Sequence, residues 1–447
     1  MGKYTKQTVL FTDIFNKKVE VDFQGGEITS DAGLLFLREV EKQIGIIRRL
    51  ADVIHDNRHP SYVRHKTYSL LRQRVFQIAS GNEDCNDCDD LRRDPALKYS
   101  CDKLPVSGSD LASQPTMSRF ENTPSRTVLY RIAEAFVDAF LDSYEKPPEG
   151  IILDIDDTDD PTYGSQQMAL FNAYHNTTCY MPIHIYEGKT GKLITTILRP
   201  GKRPSGKEIF AIIKRIVRKI RDVWPDVGII LRGDSHYNSP VVHDWCRENN
   251  VKYALGQTPN NVLWEKARNL MAKAEELYSL NRKPVKIFGE FLYKADSWSE
   301  PQRIIVKAEY NEKGPNTRFI VTNLHHNGLK FIYNTVFCGR GAMELLIKEH
   351  KNHLASGRTS CNSFEANQFR LFLHSAAYVL LHAFRSRHLK GTEFAKAQFD
   401  TIRLKLIKIG AQVRELITKI KIHLPSSFPL KELFIKIWRS CCVPGYT

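Results

Sequence analysis

Apolar residues recur at helical spacing through Ala32–Gln43, Tyr62–Ala79 and Leu129–Tyr144. The first third of the chain therefore reads as mostly helical, after a short strand at Lys18–Phe23 that turns at Gly25-Gly26. Ser30 and Asp31 stand where a helix cap is wanted. From Ile151 the period changes. Short apolar runs at Ile151–Asp156, Met181–Tyr186, Leu193–Leu198, Val227–Arg232 and Val251–Leu255 read as strands, with helices at Ser205–Val223 and Pro240–Asn249 between the later ones. Strands interleaved with helices predict an α/β layer structure.

The change of pattern also marks boundaries. Residues 1–145 form a mostly helical region, closed by the linker Glu145-Lys-Pro-Pro-Glu-Gly150. The α/β pattern occupies 151–256 and resumes over 331–385. Between them, residues 257–330 hold a helix (Leu263–Tyr278) and then β-rich segments at Ile287–Ala295, Arg303–Tyr310 and Arg318–Asn323, which reads as a mostly β insertion. Residues 386–447 look helical and basic, with Lys and Arg set among Ile and Leu. Within the first region, Ser107–Glu121 is a polar, proline-containing turn leading into a helix. It fits either a helix-turn-helix with Thr116, Ser118 and Arg119 facing DNA, or a plain capped helix.

Size and charge narrow the class. A chain of 447 residues suggests two to four domains. Its 65 Lys and Arg against 50 Asp and Glu leave +15, an excess that favours a polyanionic partner, nucleic acid first. No apolar run is long enough to span a membrane and nothing resembles a signal peptide, so the expectation is a cytoplasmic protein with no membrane partner. Nine scattered cysteines fit a reducing compartment. Cys85 and Cys88 form a C-x-x-C, but the nearby Asp84, Asp87, Asp89 and Asp90 make an acidic turn with incidental cysteines the simpler reading than zinc.

Candidate chemistry gathers at strand ends. The run Asp154-Ile-Asp156-Asp157-Thr158-Asp159-Asp160 concentrates five carboxylates, which repel unless a cation neutralises them or protons are taken up. A second strand ends in Arg232-Gly-Asp234. Further on, Arg340-Gly-Ala-Met-Glu344 begins a helix-like run to Lys351. At roughly 100° per residue Glu344 lies about 40°, and Lys351 about 20°, round from Arg340, with Glu349 on the opposite side. Two strand-end acids and one helix acid make an oxygen set suited to Mg²⁺ or Mn²⁺. Arg340 and Lys351 beside Glu344 suit a site that handles both a metal and a phosphate chain, or else form ordinary helical ion pairs on a solvated face. A rival pattern, D-x-D-x-T from Asp154 to Thr158, resembles the nucleophile loop of haloacid-dehalogenase-like phosphatases. It lacks their second later acid, since Asn238 stands where the G-D-x-x-x-D pair requires Asp.

Several long motifs in order resemble the DDE transposases of bacterial insertion sequences, specifically the group 1 DDE-domain family. They are GNEDCNDCDDLRRDPALK, LASQPTMSRFEN, LDIDDTDDPTYGSQQMALFNAYH, LRGDSHYNSP, GRGAMELLIKEHK and RTSCNSFEANQFRLFLHSAAYVLL. The resemblance implies an RNase H-like mixed-sheet core whose two Asp and one Glu bind two metal ions. By position these are Asp156, Asp234 and Glu344, with Asp154 a competitor for the first place because it shares a strand face with Asp156. The related signature Y-x2-R-x3-E-x6-K fits Arg340, Glu344 and Lys351, although Phe337 stands where Tyr is expected. The spacing of 110 residues from Asp234 to Glu344 (344 − 234) fits a β-rich insertion. Trp298 within it is either a base-stacking residue at a distorted DNA end or a buried strand tryptophan. The implied function is transposition: binding of terminal inverted repeats, cleavage at the ends and joining of 3′-hydroxyls to target DNA, by a homodimer when two ends are paired, in a bacterial cytoplasm and on the nucleoid when DNA is bound. A descendant that binds DNA without cutting it is the alternative.

Overall fold

The structure, a computed structural model, describes residues 8–325 and 328–442. Its contacts divide the chain into two units. One comprises residues 1–51, 56–120 and 380–447, the other 52–55 and 121–379.

The second unit is built on a nine-stranded mixed sheet. Its principal strands are β1 (Gly150–Asp157), β2 (Ile183–Glu187), β3 (Leu193–Ile197), β4 (Gly228–Gly233), β5 (Val251–Gln257), β6 (Val285–Tyr293), β7 (Gln302–Asn311) and β8 (Arg318–Thr322). They lie in the order β6-β7-β8-β5-β4-β1-β2-β3, and a two-residue strand at Gly314–Pro315 pairs with β7. β1, β4 and β5 run parallel, and every other pairing on the path is antiparallel. The expected α/β class with a mixed sheet is therefore observed. The β-rich segment after residue 257 is joined to it edge to edge, because β8 pairs with β5.

The sheet separates two chemistries. On one face Ile151, Leu153 and Ile155 of β1, Ile229 and Leu231 of β4, and Val251, Tyr253 and Leu255 of β5 form one apolar core with the helices α2 (Gly206–Val223), α3 (Pro240–Glu248) and α4 (Asn261–Asn281). The α2 sequence shows why. Ile209, Ile213, Ile216, Val217 and Ile220 fall on one stripe and are buried. Ser205 and Glu208 close a capping box at its start. Fully burying each such side chain contributes roughly 1.5–3 kcal/mol. On the other face, period-two alternation leaves Asp154 and Asp156 of β1 and Arg232 of β4. A helical rod from Leu329 to His353 covers part of this face. It is α-helical at Leu329–Phe331, π at Ile332–Phe337, 3₁₀ at Cys338–Gly341, α-helical at α5 (Ala342–Lys348) and π again at Glu349–His353. The helix α6 (Phe364–Ala383) follows.

The first unit contains helices at Leu34–Ile44, Thr67–Ser80 and Lys431–Cys442, with Phe36 packed on Phe384 and Phe434. Two features differ from expectation. The C-terminal region is not purely helical: Ala411–Glu415 and Ile420–His423 are strands, pairing with each other, and the first also pairs with Ile28–Thr29. The N-terminal hairpin joins Val9–Ile14 to Lys17–Val21 and turns at Phe15 and Asn16, both at positive φ, rather than at the glycine pair. Phenylalanine in that conformation is uncommon, which is why the pattern did not announce it. No helix among the described residues is long and apolar enough to cross a membrane.

Candidate active site

The parallel pairing of β1 and β4 sets the geometry. The two strands read Gly-Ile-Ile-Leu-Asp154-Ile-Asp156 and Gly-Ile-Ile-Leu-Arg232-Gly-Asp234, and they pair in that register, Gly150 with Gly228 through to Asp154 with Arg232. Asp234 follows the end of β4 and approaches Asp156 and Asp157. Asp156 and Asp157 sit at the end of β1, opposite His184 and Ile183 of β2.

Arg340 reaches from the helical rod to Asp156, with Nη1 2.5 Å from Oδ2. Burial pushes the Asp156 carboxyl up to about 7; Arg340 opposes the shift, and the charges of Asp234 and Asp157 add to it. Asp157 Oδ2 is buried and has no hydrogen-bond partner. His236 lies between the acids, its Nδ1 3.8 Å from Asp157 and 3.7 Å from Asp234, and its backbone N–H donates to Asp234 Oδ1 at 2.8 Å. The Asp157 carboxylate beside it raises the His236 imidazole above its ordinary value. The donors assembled here are hard carboxylate oxygens carrying mutually repelling charge, with one oxygen orphaned, and this chemistry fits a divalent cation. Glu344 does not complete the set. It is exposed on α5, and among the described residues no three His, Cys, Asp or Glu side chains stand close enough to hold a metal ion.

Asp154 has another task. Both its oxygens are 2.5 Å from the Arg232 guanidinium, and both side chains are buried. A carboxylate so enclosed has no open face for attack on phosphorus, which removes the basis of the phosphatase reading. Lys351 does not point at solvent either: its Nζ lies 2.9 Å from Asp159 Oδ1 and 3.3 Å from Thr158 Oγ1, and also donates to the Asp159 carbonyl.

The remaining expected contacts are dispersed. Trp298 is 7% exposed, in a turn rather than a strand, packed edge-on against His243 and Tyr293, so its ring is not available to a DNA base. Thr116, Ser118 and Arg119 share the helix Gln114–Glu121 in the first unit, Arg119 being exposed. The preceding helix ends at Ser100, so residues 101–113 intervene, far longer than the three- or four-residue turn of a helix-turn-helix. Cys88 donates to Gln77 Oε1 and Cys85 to the Gln114 carbonyl. Sequence reasoning assigned no separate role to Asp157, His236 or Arg232. Asp157 stood within the acidic run and Arg232 as a lone charge on an inward strand position, while His236 carried no signal.

Two strand-end acids thus lie beside a rod that carries Arg340, Glu344 and Lys351 on three successive windings. The chain belongs to the family described as transposase DDE domain group 1, which it matches over residues 11–441. That family implies transposase function, DNA binding and use of a divalent metal. No curated protein matches the chain.

Proposed function

We propose that this chain is a DNA transposase that binds the terminal inverted repeats of its insertion sequence, cleaves at both ends and joins the freed 3′-hydroxyls to target DNA. The observation that carries the proposal is Asp156 beside Asp234 at the ends of two adjacent parallel strands. Asp156, Asp234 and Glu344 would hold two Mg²⁺ or Mn²⁺ ions in an RNase H-like core. Such ions, when bound, activate the attacking water or hydroxyl and stabilise the departing 3′-oxygen.

The chain's own part is positional. The sheet carries Asp156 on β1 and holds Asp234 one residue past the end of β4, and α5 supplies Glu344, which must close toward them. Arg340 and Lys351, exchanged from Asp156 and Asp159 onto DNA, would contact phosphates beside the scissile bond, so end binding falls steeply with salt. Thr116, Ser118 and Arg119 would add contacts from the Gln114–Glu121 helix. Pairing two ends calls for a homodimer on DNA, in a bacterial cytoplasm.

One observation favours a second reading, a descendant that binds DNA without cutting it: Glu344 stands apart from the Asp pair. The test uses purified chain, DNA from both flanks of its own gene, and Mg²⁺ or Mn²⁺, with binding and strand cleavage scored separately. Wild type, Asp234→Asn and Glu344→Gln should all bind, and only wild type should cleave. Binding by wild type without cleavage in either metal would establish the second reading.

A further inference from the structure

The buried guanidinium of Arg232 touches three segments of chain at once. Its Nε and Nη2 each lie 2.5 Å from an oxygen of Asp154, two residues before Asp156 on β1. Its own Cα is two residues before Asp234 at the end of β4. Its Nη1 donates to the Val336 carbonyl at 2.7 Å, one turn before Arg340 and two before Glu344 in the helical rod. That carbonyl lies just before the rod changes from π to 3₁₀ winding. Two glycines make room. A Cβ on Gly188 would collide with Arg232 Nη2 and Asp154, and one on Gly339 would come within 2.7 Å of Arg232 Nη1.

We infer that Arg232 is a positioning residue: it ties β1 and β4 to the Val336 end of the rod, the fixed point from which Glu344, two turns on, closes toward Asp156 and Asp234. The inference rests on the proposed DDE chemistry and adds the part that aligns its three carriers. Planarity is the physical reason for arginine. A guanidinium presents donors in a fixed fork, so two carboxylate oxygens and a carbonyl are held in one plane at defined angles. A lysine in its place carries its donors on one rotatable nitrogen and lacks the planar spread that meets these acceptors from Nε, Nη1 and Nη2. The competing explanation is simple stability. Buried ion pairs are poor stabilisers, however, and exchange of both partners for apolar residues of similar volume is often neutral or favourable. That difference separates the two roles.

The experiment compares wild type with the double variant Arg232→Met/Asp154→Leu, Arg232→Lys, and Gly339→Ala, which keeps both charges and pushes the guanidinium from Val336. Urea midpoint, flank-DNA affinity and single-turnover cleavage rate are read for each. Positioning predicts a folded double variant that binds ends like wild type and cleaves about 100-fold more slowly, the penalty expected for reacting groups displaced by about 1 Å. A folded double variant cleaving at the wild-type rate overturns the inference. Should it not fold, Gly339→Ala and Arg232→Lys decide in the same way: slow cleavage with intact end binding supports positioning, and wild-type cleavage overturns it. Asp234→Asn runs alongside. If that variant cleaves normally, the DDE chemistry itself fails, whatever Arg232 does.

Discussion

Asp154 and Asp156 are indistinguishable by strand periodicity, since both point to the same face, and what separates them is the neighbour each meets. Asp154 is enclosed by Arg232, while Asp156 faces Asp234, Asp157 and a partly exposed Arg340. Their asparagine variants should therefore diverge. Asp154→Asn leaves a buried guanidinium without its countercharge and should lower stability by about 3–5 kcal/mol in urea unfolding. Asp156→Asn removes a carboxyl that burial already disfavours as an anion. It should unfold at or above the wild-type midpoint while abolishing end cleavage. Arg340 gives a second contrast. Its guanidinium holds the Asp156 oxygen that a divalent cation would need. Arg340→Ala should tighten Mn²⁺ binding, measured by direct titration, and weaken affinity for flank DNA; unchanged Mn²⁺ affinity would show that the ion pair does not compete with metal. The two near-identical strand sequences already contained the register that pairs Asp154 with Arg232, because their apolar triplets align only one way. What they could not reveal was that the strands are neighbours, a fact of tertiary packing.

At the scale of elements, the rod from Leu329 to His353 is not the uniform helix that a constant wheel assumes. It changes winding on both sides of α5, and Glu349, expected opposite Arg340, is buried. π turns frequently occur at functional sites, and here one contains His350 and Lys351. His350 Nδ1 lies 2.7 Å from Ser356 Oγ and Nε2 3.0 Å from Ser375 Oγ, which in turn meets Thr196 of β3 at 2.8 Å. Its ring packs edge-on to His184, the cross-strand neighbour of Asp156. A polar row thus runs beneath the acids and anchors the end of the rod. His350→Ala empties a packed site and leaves two hydroxyls short of a partner, which should cost about 2–4 kcal/mol in urea unfolding. A loss below 1 kcal/mol would mean that the rod is held elsewhere. Strand and helix positions were legible because alternation and amphipathic stripes are local. The winding changes, the histidine row and the terminal strands depend on distant partners and left no periodic trace.

For the unit as a whole, buried titratable groups predict a stability maximum near pH 6.5. Burial pushes Asp160 up to about 8, opposed by Lys351, and neither of its oxygens has a hydrogen-bond partner. Burial pushes His184 down to about 3 and His243 to about 4, and lowers His350 well below its ordinary value. The signs follow from proton counting. Between about pH 4 and 8 folded Asp160 keeps a proton that the unfolded chain has released, so stability falls as pH rises, by about 1.4 kcal/mol per unit. In the metal-free chain Asp156, raised to about 7, acts in the same sense. Below about pH 6.5 the unfolded histidines take up protons that the folded ones refuse, so stability falls as pH drops. Asp154, also raised by burial, and His236, raised by Asp157, act in the same sense as Asp160 and Asp156, so above 6.5 no buried histidine opposes the decline. Asp160→Asn should then remove about 2 kcal/mol of the decline between pH 6.5 and 8 and leave the acid limb steeper. Urea unfolding of the metal-free chain at half-unit pH steps tests both limbs. An alkaline limb unchanged in Asp160→Asn would mean that Asp160 is ionised in the folded protein, the Lys351 ammonium outweighing its burial.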